Sequence, residues 1–397
     1  MVHVRTPARQ RLVVMLFPLI LGLLAVGLAF AMTMPFLSLF LSTEVHAGPA
    51  RVTLFLVLAP LSGVVASIVM GRLSDRGPVR RRLMIIASLT GVVGCSASAV
   101  VRDYWILLGL AVTAIALAGT VFPQTLAYAR QWLIRDAPDQ AAMGTSTLRT
   151  VVSAAWVGGP PLAAFLVEAG GFRVVYGIAA ALYAVAALVV IFRLDEVEVP
   201  APGPEEAPLP ASSRGTLWWT AAAFVLLQAP LTLGAQAMPF LTAEKLGGDV
   251  GDAGLVLGLC AALEIPLILS LGLLSTRFPL RPMVLGGAVC GVLYYAVATA
   301  ANGLGMLFAA QLLNALFIAA VSGLGISYVQ DMLPQFPGRA TTLFTNTFPI
   351  GAMLAGPLFG MAQRFDIRLA YGTSAALCLV GLAILLAVRN DHAAQPA

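Results

Sequence analysis

The sequence GRLSDRGPVRRR, residues 71–82, is a short arginine-rich stretch between two long apolar runs. A similar stretch, GLLSTRFPLR, occupies residues 272–281, about 200 positions later. Six positions hold the same residue type in both copies: Gly71, Leu73, Ser74, Arg76, Pro78 and Arg80 match Gly272, Leu274, Ser275, Arg277, Pro279 and Arg281. Two basic loops in equivalent places predict an internally duplicated membrane protein.

The composition agrees with this interpretation. Of the 397 residues, 59% are hydrophobic and only 10% are charged, and the mean hydropathy is +0.92, whereas soluble domains carry roughly 25% charged residues. The net charge of +5 comes from basic residues scattered between apolar runs. We therefore expect membrane lipid, and no nucleic acid, as a partner.

Apolar runs of about 18 residues or more predict an all-α integral membrane protein with twelve transmembrane helices. The predicted spans are 12–41, 53–71, 83–101, 104–129, 142–167, 174–192, 216–243, 253–275, 283–301, 303–330, 340–363 and 368–388. The first run continues to Leu41 and so predicts a span. A signal peptide cleaved near residues 29–31 is the alternative.

The basic residues predict the orientation. If the twelve spans alternate in direction, seventeen of the 23 lysines and arginines fall on the side that holds both termini. The positive-inside rule then places both termini, and the loop at 71–82, in the cytoplasm. We expect a multi-pass protein of the bacterial inner (plasma) membrane.

A linker and further repeats divide the chain into two halves. Residues 195–214 are rich in proline and acidic side chains, which favours an extended linker. The sequence MPFL at 34–37 returns at 238–241, and Arg173 and Tyr176 return as Arg368 and Tyr371. We therefore predict a six-helix bundle at 1–194, a cytoplasmic linker at 195–214 and a second six-helix bundle at 215–397.

The loop G-x-L-S-D-R with its basic cluster resembles the signature of the major facilitator superfamily. It differs in having Pro78, where that motif usually has glycine, and Thr276 replaces the aspartate in the second copy. Within the superfamily, the chain is most similar to the sugar efflux transporter family. The stretches that carry this resemblance are 38–42, 44–45, 123–124, 129–130, 156–157, 159–162, 263–266, 311–318, 330–331 and 340–346.

The resemblance implies a transporter that exports sugars or sugar-like molecules by alternating access, driven by inward proton flow. We expect a monomer without a cofactor or a bound metal. A multidrug or other small-molecule efflux carrier of the same fold is the alternative, and no residue excludes a proton-coupled importer.

The resemblance also implies that predicted spans 1, 4, 7 and 10 line a central cavity. Among the polar residues of these spans, the substrate-binding candidates are Gln124, Tyr128, Gln228, Gln236, Gln311 and Asn314, with Trp156 and Asn346 as further candidates in spans 5 and 11. Neutral amides both donate and accept hydrogen bonds, which suits sugar hydroxyls, and Trp156 offers a stacking face for a sugar ring. The alternative is that these side chains form hydrogen bonds between helices.

Two ionisable residues lie inside apolar runs. Glu264 is about 20 Å from the cytoplasmic end of its span, near the bilayer midplane, at 1.5 Å per residue. An intramembrane carboxylate is costly and therefore predicts a function, so we expect Glu264 to carry the coupling proton or bind substrate. Arg149 is expected to bias that charge or bind substrate, with snorkelling to the cytoplasmic surface as the alternative.

The loop at 71–82 is expected to act as a conformational latch. Gly71, Asp75 and Arg76 belong to it, and Asp75 is expected to accept hydrogen bonds at the start of span 11, near Thr341 and Thr342. The alternative is that the arginines only fix topology and touch anionic lipid.

An enzyme is not expected. The three histidines, His3, His46 and His392, are near the termini or in a loop, and the sequence has no metal-ligand spacing, GxSxG elbow or P-loop. The four cysteines lie in apolar runs without CxxC spacing and are interpreted as packing residues.

Overall fold

A computed structural model describes residues 8–75, 77, 79–136, 141–196, 211–333 and 336–388. Within these ranges the regular structure is entirely helical and contains no strand. The α-helices are α1 (Ala8–Thr33), α2 (Leu37–Thr43), α3 (Pro49–Asp75), α4 (Arg80–Val100), α5 (Tyr104–Leu110), α6 (Ala116–Ala118), α7 (Val121–Asp136), α8 (Ala141–Arg193), α9 (Ala211–Lys245), α10 (Val250–Leu274), α11 (Leu280–Ala300), α12 (Leu304–Ile318), α13 (Gly325–Met332), α14 (Pro337–Phe365) and α15 (Arg368–Ala387).

Ten helical segments of the described ranges are long and apolar enough to cross a membrane. One of them, Thr150–Arg193, is 44 residues long and holds most of predicted span 5 and all of predicted span 6. Helix α8, which contains it, has non-helical geometry at Gly171, with φ 71° and ψ −175°. That backbone conformation is essentially restricted to glycine. Predicted span 11 lies in α14, which is not among the ten, so the number twelve stays a prediction.

Two π-helical turns interrupt the helices of predicted spans 4 and 10. The first, Ala111–Ile115, joins α5 to α6, and the second, Ala319–Gly323, follows α12. They begin at residues 111 and 319, an offset of 208 that is close to the offset of about 200 between the sequence repeats. Turns of this kind are frequent at functional sites, where they change the direction of the side chains that follow.

The chain forms two compact units, and the first consists of Met1–Met34 and Ser62–Gly203. In this unit, α1 and α4 both pack against α8. Small residues allow the close approach: a Cβ on Gly91 would lie 2.4–2.8 Å from the ring of Tyr183, and one on Gly159 would lie 2.5 Å from Ala31 Cβ. The core of the unit is therefore built around α8.

The second unit consists of Pro35–Leu61 and Pro204–Ala397. In it, α9 packs against α14 and α15, and α11 packs against α12 and α15. The Tyr371 hydroxyl donates to the carbonyl of Gly234 in α9 at 3.0 Å, and the Tyr371 ring lies 6.2 Å from that of Tyr295. The predicted division at 194 and 215 stays a prediction, and residues 197–210 of the predicted linker lie outside the described ranges.

A substitution at Gly351 tests the packing of α14 on α9. A Cβ at Gly351 would lie 2.8 Å from the backbone nitrogen of Ala229 and 3.0 Å from the carbonyl oxygen of Val225. Gly351→Ala must therefore separate two backbones, and we expect it to destabilise the protein by about 1–3 kcal/mol. The melting temperature in detergent should fall by several degrees.

The matched control is Gly286→Ala in α11 of the same unit, where an added Cβ would meet nothing within 4 Å. Its melting temperature should be unchanged or slightly higher, because alanine favours helix more than glycine does. Equal melting temperatures for the two variants would contradict the described packing.

Candidate substrate site

Two amides on α12 form the polar centre of the second unit. The Gln311 Nε2 group donates to the carbonyl of Leu307 at 3.0 Å and lies 3.4 Å from the hydroxyl of Tyr294. Its Oε1 atom accepts a hydrogen bond from Asn314 Nδ2 at 3.2 Å. Asn314 is only 7% exposed, and its Oδ1 atom has no hydrogen-bond partner among the described residues. Asn314 thus offers a buried acceptor to a ligand.

Gln124 is a comparable buried amide in the first unit. It lies in α7, shortly after the first π-helical turn, and is 6% exposed. Its Oε1 atom is also buried without a hydrogen-bond partner in the described ranges. A buried carbonyl oxygen without a partner costs about 1–3 kcal/mol, so such atoms call for a functional explanation.

Tyr128, one turn after Gln124, is fully buried. Its hydroxyl donates to the backbone carbonyl of Asp195 at 2.9 Å. This hydrogen bond ties α7 to the chain that follows α8, and it occupies the hydroxyl hydrogen.

The amides of Gln228 and Gln236, both in α9, have partners within the second unit. Gln228 Nε2 donates to the hydroxyl of Thr347 in α14. Gln236 Oε1 accepts from the backbone N–H of Ser38 at 2.9 Å, and the Ser38 hydroxyl donates to the Gln236 carbonyl at 2.8 Å. Both side chains therefore form hydrogen bonds between helices. This is the alternative to substrate binding that the sequence left open.

Glu264 is partly buried in α10, which packs against α12 and the second π-helical turn. One turn before it, Cys260 is buried, and one turn after it, Ile268 lies beside Gly323 of that π-helical turn. Across the described ranges, no hydrogen bond or salt bridge joins Glu264 to another residue.

The remaining candidates differ in how they are placed. The ring of Trp156 in α8 is partly buried and packs edge-to-face on Phe30, with centroids 6.0 Å apart. Asn346 in α14 is exposed. Arg149 has its backbone in α8, but its side chain lies outside the described part of the structure.

The predicted latch is described only in part. Gly71 lies in α3 and Asp75 ends that helix, but the Asp75 side chain and the whole of Arg76 lie outside the described part. The hydroxyl of Thr341 accepts from Gln330 Nε2 at 2.9 Å, and Thr342 is exposed. The latch stays a prediction.

The two basic loops also have a role that sequence reasoning missed. In the first unit, Arg81 Nη2 donates to the carbonyl of Ile191 at 2.6 Å, near the end of α8. In the second, Arg281 Nη2 donates to the carbonyl of Val388 at 2.8 Å and lies 3.3 Å from those of Leu385 and Leu386. Each loop thus caps the last helix of its own unit. The sequence signal that could have indicated this capping is the presence of arginines in both loops.

The sequence matches the Major Facilitator Superfamily over residues 19–263 and again over 232–397. It is 35% identical to Sugar efflux transporter A of Dickeya chrysanthemi, over 89% of this chain and 92% of that protein. It is 32% identical to Sugar efflux transporter A of Escherichia coli K12, over 92% of this chain and 93% of that protein. The chain belongs to the sugar efflux transporter family of the Major Facilitator Superfamily.

The fold of this transporter agrees with that assignment. The crystal structure of the nucleoside transporter NupG superposes with a TM-score of 0.76, covering 94% of this chain and 98% of NupG, at 14% sequence identity. The predictions of an all-helical membrane fold and of a transporter rather than an enzyme are therefore confirmed. The transporter carries small molecules.

The arginine caps lead to a stability prediction. Arg281→Ala leaves carbonyl oxygens at the end of α15 without their charged donor, and hydrogen bonds to charged groups contribute about 1.5–3 kcal/mol. We expect a lower melting temperature in detergent, and the same for Arg81→Ala at the end of α8.

The controls are Arg277→Ala and Arg82→Ala, which remove an equal charge from exposed positions of the same two loops. They should leave the melting temperature nearly unchanged. If all four variants lost the same stability, net charge rather than helix capping would be the cause.

Proposed function

We propose that the protein exports sugars or sugar-like small molecules across the bacterial inner membrane by alternating access, as a proton antiporter. Four buried amide oxygens have no hydrogen-bond partner in the described ranges, and the observation that carries the proposal is that two of them, Gln124 Oε1 and Asn314 Oδ1, belong to candidate residues of predicted spans 4 and 10. The named sugar efflux relatives support the substrate class.

The chemistry of these groups favours neutral, hydroxylated substrates. An amide oxygen accepts a hydrogen bond from a hydroxyl group and needs no opposite charge on the ligand. Gln311, whose Oε1 accepts from Asn314, orients the Asn314 side chain for this contact. Gln228, Gln236 and Tyr128 remain proposed members of the site, and Trp156 and Asn346 are proposed as its periphery.

We propose twelve membrane crossings in two six-helix bundles, at 1–194 and 215–397, with both termini and the linker at 195–214 in the cytoplasm. The glycine-only geometry at Gly171 supports two crossings within the 53-residue helix α8. The 29 residues of α14 are long enough for another crossing, at about 1.5 Å per residue. The second crossing within α8 and the crossing by α14, added to the ten apolar segments, give twelve crossings.

Glu264 is proposed as the site of the coupling proton. A carboxyl group that is partly buried and has no partner in the described ranges can be neutral when its surroundings are dry and charged when they are wet. Arg149 is proposed to bias this equilibrium or to bind substrate. The loop residues Gly71, Asp75 and Arg76, with Thr341 and Thr342, are proposed as a conformational latch, and the functional unit is proposed to be a monomer.

The substrate proposal predicts the effect of Asn314→Ala and Gln124→Ala. Each variant removes one acceptor from the substrate, and a loss of about 1.4 kcal/mol corresponds to a tenfold change in affinity. In inverted membrane vesicles with a pH gradient, we expect the KM for a labelled disaccharide to rise about tenfold.

Asn302→Ala is the control, because Asn302 is exposed in the loop before α12. It should transport like the parent protein. Uptake of drugs without uptake of disaccharides or monosaccharides by the parent protein would identify the alternative, a multidrug carrier.

The proton proposal predicts the effect of Glu264→Gln, which keeps the size of the side chain but cannot release a proton. Accumulation driven by the pH gradient should be lost, while exchange of labelled for unlabelled sugar at equal concentrations should continue. Undiminished proton-driven export by this variant would remove Glu264 from the mechanism.

A further inference from the structure

A chain of hydrogen bonds leads from α11 to the candidate site in α12. The hydroxyl of Tyr294 in α11 accepts from Gln311 Nε2 at 3.4 Å, and Gln311 Oε1 accepts from Asn314 Nδ2 at 3.2 Å. Tyr294 is 1% exposed and Gln311 0%, whereas Asn314 keeps 7% of its surface exposed. The chain therefore starts in the core of the second unit and ends at the residue with the most exposed surface.

The orientation of both amides follows from the acceptor at Leu307. A backbone carbonyl can only accept hydrogen bonds, so the group of Gln311 that lies 3.0 Å from the Leu307 carbonyl must be its NH2 group. Gln311 Oε1 then faces Asn314 and needs a donor there, which Asn314 Nδ2 supplies. Reversing the Asn314 amide would bring two oxygens together. Asn314 Oδ1 is therefore the atom that remains without a partner among the described residues.

Tyr294 supplies an acceptor for Gln311 from outside α12. The Leu307 carbonyl lies within this α-helix, where it also accepts the backbone N–H of the residue four positions later, which is Gln311 itself. Its hold on the Gln311 side chain is thus shared with the backbone. The NH2 group has a second N–H, and the Tyr294 hydroxyl accepts it. Without that hydroxyl, a buried N–H would lack its partner, and other rotamers of Gln311 would become favourable.

The position of the Tyr294 ring is set by the packing of α11 on α12. The ring lies edge-to-face on that of Tyr295, with centroids 4.8 Å apart. The Tyr295 ring in turn lies 6.1 Å from that of Phe317 in α12. A Cβ on Gly291 would lie 2.6 Å from the Phe317 ring, so the two helices approach closely. The Tyr294 hydroxyl is thus held at a fixed place beside Gln311.

We propose that Tyr294 is a positioning residue of the substrate site, which acts through Gln311 to hold the oxygen of Asn314 toward the substrate. The site then selects ligands that present a free hydroxyl group at this point. An ether oxygen or a fluorine in the same place has no hydrogen to donate to Asn314 Oδ1 and is disfavoured. The proposal rests on the proposed function, and Tyr294 itself does not touch the substrate.

The transport test uses Tyr294→Phe, which keeps the ring and removes the hydroxyl. In inverted vesicles with a pH gradient, the KM for labelled disaccharide should rise about threefold at unchanged kcat, since a neutral hydrogen bond is worth about that factor. In an Asn314→Ala background the same substitution should have no further effect, because no amide remains to be oriented. Independent, multiplying effects on KM would overturn the proposal.

The matched control is Tyr295→Phe, which removes a hydroxyl from the next residue of α11. Tyr295 packs through its ring on Tyr294 and Phe317, and its hydroxyl is not part of the chain to Asn314. Its KM should equal that of the parent protein. An equal rise in KM for both variants would assign the effect to packing and overturn the positioning role.

The selectivity can be tested without a substitution at Tyr294. In a series of monodeoxyfluoro disaccharides, at least one should inhibit export by the parent protein several-fold more weakly than the unmodified sugar. The difference should disappear in Asn314→Ala, which has no acceptor at this point. If the parent protein and Asn314→Ala discriminated equally for every analogue, the proposed selection of a free hydroxyl group would be wrong.

The remaining measurement does not depend on transport. The chain has four asparagines, so protein labelled with 15N-asparagine gives four side-chain amide signals, and Asn314→Ala identifies that of Asn314. Tyr294→Phe should shift this signal and leave those of Asn302 and Asn346 in place. An unshifted Asn314 signal would overturn the positioning role. Absence of sugar export by the parent protein, with the shift present, would overturn only the proposed function.

Discussion

The backbone hydrogen bond is the constraint on which this structure depends. In hydrocarbon, an N–H or C=O group without a hydrogen-bond partner costs several kcal/mol, so the chain spans the membrane as helices. Each helix end or break then needs another hydrogen-bond partner nearby. Arginines cap the carbonyl ends: Arg102 donates to the carbonyls of Ser98 and Val101 at the end of α4 at 3.0 and 2.9 Å. Arg368 donates to those of Thr299 and Ala301 at the end of α11 at 3.0 and 2.8 Å.

The basic residues that indicate topology therefore also cap helices. A charge-count rule treats Arg81 and Arg281 only as markers of the cytoplasmic side. In the structure they also bind the last carbonyls of α8 and α15, where a cation opposes the negative end of the helix dipole. One residue type in one loop thus contributes to orientation and to the stability of the bundle.

The same constraint explains which parts of the structure the sequence predicts. Apolar length and loop charge predicted the helices, because both reflect the bilayer itself. They also predicted separate spans on either side of Gly171. They could not predict the break after Thr33, because MPFL is identical in both copies and the hydrogen bond from Ser38 to the amide of Gln236 forms only after folding. The π-helical turns were missed for a similar reason, since their sequences are ordinary apolar helix.

The candidate site was predicted as a set of amides, but residue type alone could not separate their roles. Gln228 and Gln236 bond to other parts of the second unit, whereas Gln124 and Asn314 keep a buried oxygen without a partner in the described ranges. The difference depends on what lies opposite each side chain after folding.

Duplication alone would give two equivalent halves, but the two halves of this sequence differ. The stretch of the first half that matches Glu264, about 204 positions earlier, reads APLSG at 59–63 and has no acidic residue. The break at 34–36 occurs only in the first copy of MPFL. If Glu264 carries the coupling proton, as proposed, the proton site belongs to the second half of the sequence alone. That half then performs a step for which its duplicate has no acidic residue at the matching position.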